Sequence, residues 1–171
     1  TFMRLFDMSN DSGLFRTAKQ LAEQGAQRTG AMWTGAGGRA WVPLYEAKMV
    51  HQFDHRWATY ETDGETVRDA TETEKRDPGY DVLPRYWVPG DEVQSRLAAK
   101  VWTREWLMGW RDICRSTDER TVIAGVIPRV GVGHTMPLFF LGGYREIQNW
   151  CVFLACLNSM ILDYLARQSV G

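Results

Sequence analysis

W-L-M-G-W-R-D-I (Trp106–Ile113), T-V-I-A-G-V-I-P (Thr121–Pro128) and M-P-L-F-F-L (Met136–Leu141) are three short apolar runs in quick succession. The links between them, R-S-T-D-E-R and R-V-G-V-G-H, are turn-like, and each begins with a base. Runs of this length, rich in aromatic and β-branched residues and bounded by Gly, Pro and polar residues, predict β-strands. Links this short join antiparallel neighbours, because a parallel crossover needs a dozen or more residues. The last segment of the chain has another period. From Arg145 to Gln168, the residues Trp150, Phe153, Leu154, Leu157, Ile161, Tyr164 and Leu165 recur at the spacing of one helical face. That predicts one long terminal helix with its apolar side buried. Strands succeeded by a helix imply an α+β domain, with a twisted, mostly antiparallel sheet and flanking helices.

Toward the start of the chain, Asp11-Ser12 ahead of L-F-R-T-A-K-Q-L-A-E-Q-G predicts a capped amphipathic helix that stops at Gly25. This helix leads into the domain over residues 1–30. The Gly35–Gly38 stretch, G-A-G-G, lacks the Gly-Lys-Ser/Thr ending of a phosphate loop and reads as a turn. Residues 61–81 carry eight acids against Arg68, Lys75 and Arg76, and predict an exposed acidic loop with poor order. Pro78, Pro84 and Pro89 bracket an extended piece, and Asp91 with Gln94 predicts a capping box for the next helix.

At 171 residues and 44% hydrophobic, the chain suffices for one domain with a real core. Both ends read as cuts in a longer protein. No apolar run reaches the ~18 residues of a membrane span, so a cytoplasmic setting without membrane contact is expected. Cys114, Cys151 and Cys156 match no metal spacing, and they read as small apolar residues. The net charge of -1 conceals an asymmetry: outside the acidic segment, 13 acids face 17 bases. Most of those bases are Arg, which suits planar contact with phosphates and base edges.

The richest stretch for function is Trp41–Tyr60, W-V-P-L-Y-E-A-K-M-V-H-Q-F-D-H-R-W-A-T-Y. His51 and His55 lie four apart, but the zinc-protease pattern is absent. No metal site is expected. Glu46, Lys48 and Asp54 stand in the wrong order for a nuclease centre, and no nucleophile elbow exists. No catalytic residue is assigned. The cations fall into two groups instead. Lys48, His51, His55 and Arg56 form one; Arg111, Arg115, Arg120 and Arg129 form the other, at strand ends and turns. Cations set among Trp and Tyr are the ingredients of a DNA-gripping surface. The alternative is that each Arg pairs with a neighbouring acid.

Four blocks carry a more specific signal. P-L-Y-E-A-K-M-V-H-Q-F-D-H-R (Pro43–Arg56) resembles P-L-Y-E-G-K-M-I-H-Q-F-D-H-R of large bacterial DNA adenine methyltransferases of restriction-modification and phage-defence systems, where it comes just after the catalytic domain. M-S-N-D-S-G-L-F-R-T (Met8–Thr17) is similar to their linker. R-D-I-C-R-S-T-D-E-R-T-V-I-A-G-V-I-P (Arg111–Pro128) and C-L-N-S-M-I-L-D-Y-L-A-R-Q (Cys156–Gln168) resemble blocks of their TaqI-like specificity domains. Ala47 departs from the Gly usual there.

The resemblance implies a single target-recognition domain that reads duplex DNA. Its partners would be double-stranded DNA and the enzyme's methyltransferase domain. The Asn-Pro-Pro-Phe/Tyr motif and the Gly-rich cofactor motif are absent from this sequence. S-adenosylmethionine is therefore expected in a catalytic domain elsewhere, and this chain is expected not to be an enzyme. Lys48, His51, His55, Arg56, Arg111, Arg115 and Arg120 occupy shared motif positions, implying a common task such as phosphate clamping or packing. Base reading is expected in the loops, with Arg39, Arg85, Tyr86, Trp87 and Arg129 as candidates. The alternatives are a protein-interaction or scaffolding domain, with an exposed apolar patch around the Trp residues, and a buried network joining Asp54 to Arg56 or a histidine.

Overall fold

The computed structural model describes residues 2–115, 118–141 and 146–169. Ser116 and Thr117 of the expected turn, and Arg145 at the expected helix start, lie outside them. The chain is an α+β fold. In order it forms β1 (Phe2–Met3), α1 (Ala18–Glu23), β2 (Gln27–Thr29), β3 (Met32–Thr34), β4 (Ala40–Tyr45), β5 (Ala58–Tyr60) and β6 (Val67–Asp69). Next come α2 (Glu72–Arg76), β7 (Trp87–Pro89), α3 (Gly90–Ala98), β8 (Trp106–Trp110) and β9 (Ala124–Pro128). Then β10 (Gly131–Val132), β11 (Leu138–Phe139), α4 (Ile147–Leu157) and α5 (Met160–Arg167) complete it.

The three apolar runs become β8, β9 and β11, in a four-stranded antiparallel sheet ordered β1-β11-β8-β9. Gly109 permits the β8–β11 approach: a Cβ there would stand 2.6 Å from the Pro137 carbonyl oxygen. A second sheet runs β10-β4-β3-β2, with β7 also on β4. Its β10–β4 pairing is parallel and the rest antiparallel. One core lies between them, built from residues such as Phe6, Met49, Leu107, Ile127 and Leu138. A smaller cluster, Leu21, Trp33, Trp41 and Trp87, fills the far side of the second sheet.

Trp102, Trp106 and Trp150 meet edge to face at 5.2–5.3 Å and dock α4. Such pairs add about 0.5–1.5 kcal/mol each beyond their area. The aromatic wealth of the chain therefore goes largely inward.

Five expectations are corrected. The first helix starts at Ala18, capped by Thr17 and Gln20, rather than at Asp11. Its expected opening is drawn off: Arg16 exchanges backbone hydrogen bonds with Trp87, and Asp11 pairs with Arg96. The Asp91–Gln94 box does not form, because α3 begins at Gly90 and Gln94 accepts from Arg129 instead.

The acidic segment is no loop. It is largely exposed, as expected, yet it holds β6, which pairs with β5, and α2, with a Thr71–Glu74 capping box. Arg68 bonds Glu61 and Glu74 at 2.7 and 2.6 Å, and holds the Glu74 carboxyl down at about 2. Internal pairing removes the repulsion that composition suggested.

The terminal helix is broken, α4 and α5 meeting at 50°. Asn158 ends α4 and Ser159 caps α5 by accepting from Leu162. The face expected to be buried is fully so at Trp150 and packs against the core at Phe153 and Leu154, whereas Ile161, Tyr164 and Leu165 are 58–76% exposed. Finally, Cys151 and Cys156 are exposed rather than packed, whereas Cys114 is half-buried. Among the described residues no single helix is long and apolar enough to cross a membrane.

Candidate nucleic-acid interface

The first and third motif blocks, some sixty residues apart, meet on one face. Arg111 donates from Nε to the Val50 carbonyl at 2.9 Å, and Gln52 donates from Nε2 to the Val122 carbonyl at 2.9 Å. The link between β8 and β9 is thereby laced to the turn His51-Gln52-Phe53-Asp54. That turn is closed by two backbone bonds, His51 N to Asp54 O at 2.8 Å and Asp54 N to His51 O at 3.1 Å.

Beneath it lies a stack. The His51 ring rests on Trp57 at 4.4 Å, and the Lys75 ammonium stands 4.5 Å from the same indole. Lys75 also pairs with Asp54 at 2.7 Å, and Asp54 accepts the Arg56 amide. The Asp54 carboxylate thus pairs with Lys75 and reaches Arg56 only through its backbone, which corrects the expected network. His51 and His55 do not lie along one extended strand, since the turn folds the segment back.

At the tip stands Phe53, 74% exposed, with φ of 61°. That region favours glycine or asparagine, and an aromatic residue there costs about 1–2 kcal/mol. Its exposure also forgoes the ~1.5–3 kcal/mol that burying a Phe contributes. Sequence reading passed over Phe53. The available signal was an apolar residue amid five polar ones.

The other candidates separate. Arg56 is directed inward, donating to the carbonyls of Lys75, Asp77 and Tyr80 at 2.6–3.2 Å, and so ties the α2 segment down. Arg120 is largely buried, bonding the Asn158 carbonyl at 2.9 Å, contacting the Met160 sulfur, and lying 3.6 Å from Asp163. Arg115 is exposed, its backbone amide held by Asp118 at 2.8 Å. Lys48 is half-exposed on the turn before Val50, pairing with Glu46 at 3.3 Å and covering the Tyr60 ring. Glu46 also accepts from the Tyr60 hydroxyl at 2.8 Å, so Glu46 and Asp54 serve separate partners.

The loop candidates sit elsewhere. Arg85 and Tyr86 line a cleft of about 590 Å³ with Arg28, Lys19, Glu61 and Asp63. Trp87 is only 3% exposed and donates to the Ala31 carbonyl, so it is a core residue and cannot stack on a base; this corrects its assignment. Arg39 and Arg129 flank α3, through Asp91 at 3.4 Å and Gln94 at 2.6 Å.

Burial, with Arg111 beside it, pushes His51 below its ordinary value of 6.5; burial and Arg56 do the same for His55. Both are then neutral in the fold at pH 7, while the unfolded chain protonates them below ~6.5. Stability from this source is whole above pH ~6.5 and falls as the pH drops toward the folded values. Urea midpoints between pH 5 and 7 should show that decline, and it should flatten in a His51→Asn/His55→Asn variant.

No protein-family model matches the chain, and no curated protein or solved structure matches it either.

Proposed function

We propose that this chain is a duplex DNA recognition domain of a restriction-modification type adenine methyltransferase. The observation that carries the reading is the junction of the H-Q-F-D-H-R turn with the Arg111–Arg115 loop. Two separate cation-bearing motifs are laced into one rigid surface, with an exposed aromatic ring at its tip. Cations for phosphates and an aromatic for bases are what such an interface combines. The methyl transfer, and the S-adenosylmethionine it consumes, belong to a catalytic domain beyond this sequence. Arg111 and Arg115 supply backbone contacts on the common face. Arg85 and Tyr86, in their separate cleft, are the candidates for sequence choice.

Fluorescence anisotropy on random-sequence duplex between ~50 and ~200 mM salt tests this. Affinity should fall steeply with salt, and the retained duplexes should share a motif. Absence of binding at ~50 mM salt would overturn it.

A second reading has its own observation. Val152, Ile161 and Leu165 are exposed together on the α4–α5 face around a shallow groove of about 510 Å³. The patch lies on these helices, not around the Trp residues as a scaffold was expected to show it. Apolar surface of this kind marks a protein contact. Within the first reading its partner is the methyltransferase domain; as a scaffold alone, the chain would bind protein and leave DNA untouched.

A further inference from the structure

We infer that Phe53 is a wedge that enters the base stack of duplex DNA. The inference rests on the DNA-binding reading and adds the residue that opens the helix.

Three features converge on it. The ring is exposed at the tip of a closed four-residue turn, at a position whose left-handed backbone suits glycine. A stability-driven sequence would not keep phenylalanine there. The base of the turn is rigid. Gln52 is fastened to Val122, Asp54 to Lys75, and His51 is stacked on Trp57. A ring on such a mount keeps its direction under load, whereas one on a loose loop would fold back. Arg111, bonded to Val50, brings a cation to the base of the turn, while the charge of Lys75 is matched by Asp54. Cations on the phosphates and an apolar side chain between base steps is the arrangement by which proteins kink or unstack a duplex. An enzyme that modifies adenine in duplex DNA must extrude the base, and a ring that occupies the gap favours that state.

The ring should enter most readily where a base is already missing. The test uses the whole chain and two duplexes of equal length, one intact and one with a single abasic site, with 2-aminopurine opposite the gap. Wild type should prefer the abasic duplex by roughly tenfold, the scale of one base–aromatic stack, and should change the 2-aminopurine fluorescence. Phe53→Ala should lose the preference and the spectral change but keep the salt slope, because no phosphate contact is removed. Phe53→Trp should restore both. A thermal melt guards against misfolding, and Phe53→Ala should melt no lower than wild type.

Equal binding of both duplexes by wild type and Phe53→Ala would overturn the wedge and leave the DNA reading standing. Failure of wild type to bind either duplex at ~50 mM salt would overturn both.

Discussion

Asp163→Ala is expected to destabilise the chain by about 3–5 kcal/mol, the range for removing one partner of a buried ion pair. Asp163 lies in α5 with a side chain only 9% exposed. One oxygen accepts the backbone amides of Thr121 and Val122 at 2.7 and 2.8 Å, and Arg120 lies 3.6 Å from it. Arg167, one turn on, reaches the other oxygen at 3.9 Å and donates to the carbonyls of Asp118 and Glu119. Nothing in an alanine replaces these acceptors, so two backbone amides lose their partner and two guanidinium groups lose their carboxylate. Asn158 reinforces the joint by matching the Ala124 backbone, accepting from its amide at 3.0 Å and donating to its carbonyl at 2.9 Å. The expected result is a large drop in urea midpoint for Asp163→Ala and a smaller one for Asp163→Asn, which keeps one acceptor. A loss under ~1 kcal/mol for alanine would show that this joint does not hold the helix pair to β9.

The second large effect concerns charge. An Arg111→Ala/Arg115→Ala variant should bind random duplex with a salt slope shallower by about 1.8, since each neutralised phosphate contributes about 0.9. At ~0.1 M salt that amounts to roughly eightfold in affinity for each phosphate no longer neutralised. Arg56→Ala is the informative contrast. Its guanidinium is tied inward to three carbonyls, so the variant should unfold more easily and keep the wild-type slope. The reverse pattern, with Arg56 setting the slope and the Arg111/Arg115 pair silent, would move the phosphate contacts off this face. Anisotropy titrations at four salt concentrations separate the two.

Much of this architecture is readable from residue order because it depends on local period. The strands β8 and β9 are visible as apolar runs with turn residues around them, and the α+β class comes from those strands and the helical segment behind them. The unreadable parts depend on partners far along the chain. The break between α4 and α5 requires Asn158 to find Ala124, thirty-four residues away, and periodicity alone continues through it. The same holds for burial: Ile161 and Leu165 keep helical spacing with Trp150 and Phe153, yet only the latter two meet residues of the sheet while the former stay exposed. In the acidic segment, composition predicts disorder, but Arg68 placed between Glu61 and Glu74 reverses the sign of the interaction. At the candidate site, the set of cations was legible and their division was not. Arg56 and Arg120 carry the same charge as Arg115, and only their carbonyl and carboxylate neighbours distinguish a strut from an exposed contact.

If the turn at residues 51–54 and the loop at residues 111–115 form one DNA face, a bound duplex must cover both together. Amide hydrogen exchange with and without a saturating ~20-bp duplex reads this residue by residue. Exchange should slow at residues 50–56 and 111–115, with α4 and α5 unchanged. Protection confined to α4 and α5, or none anywhere while anisotropy reports binding, would contradict a shared face.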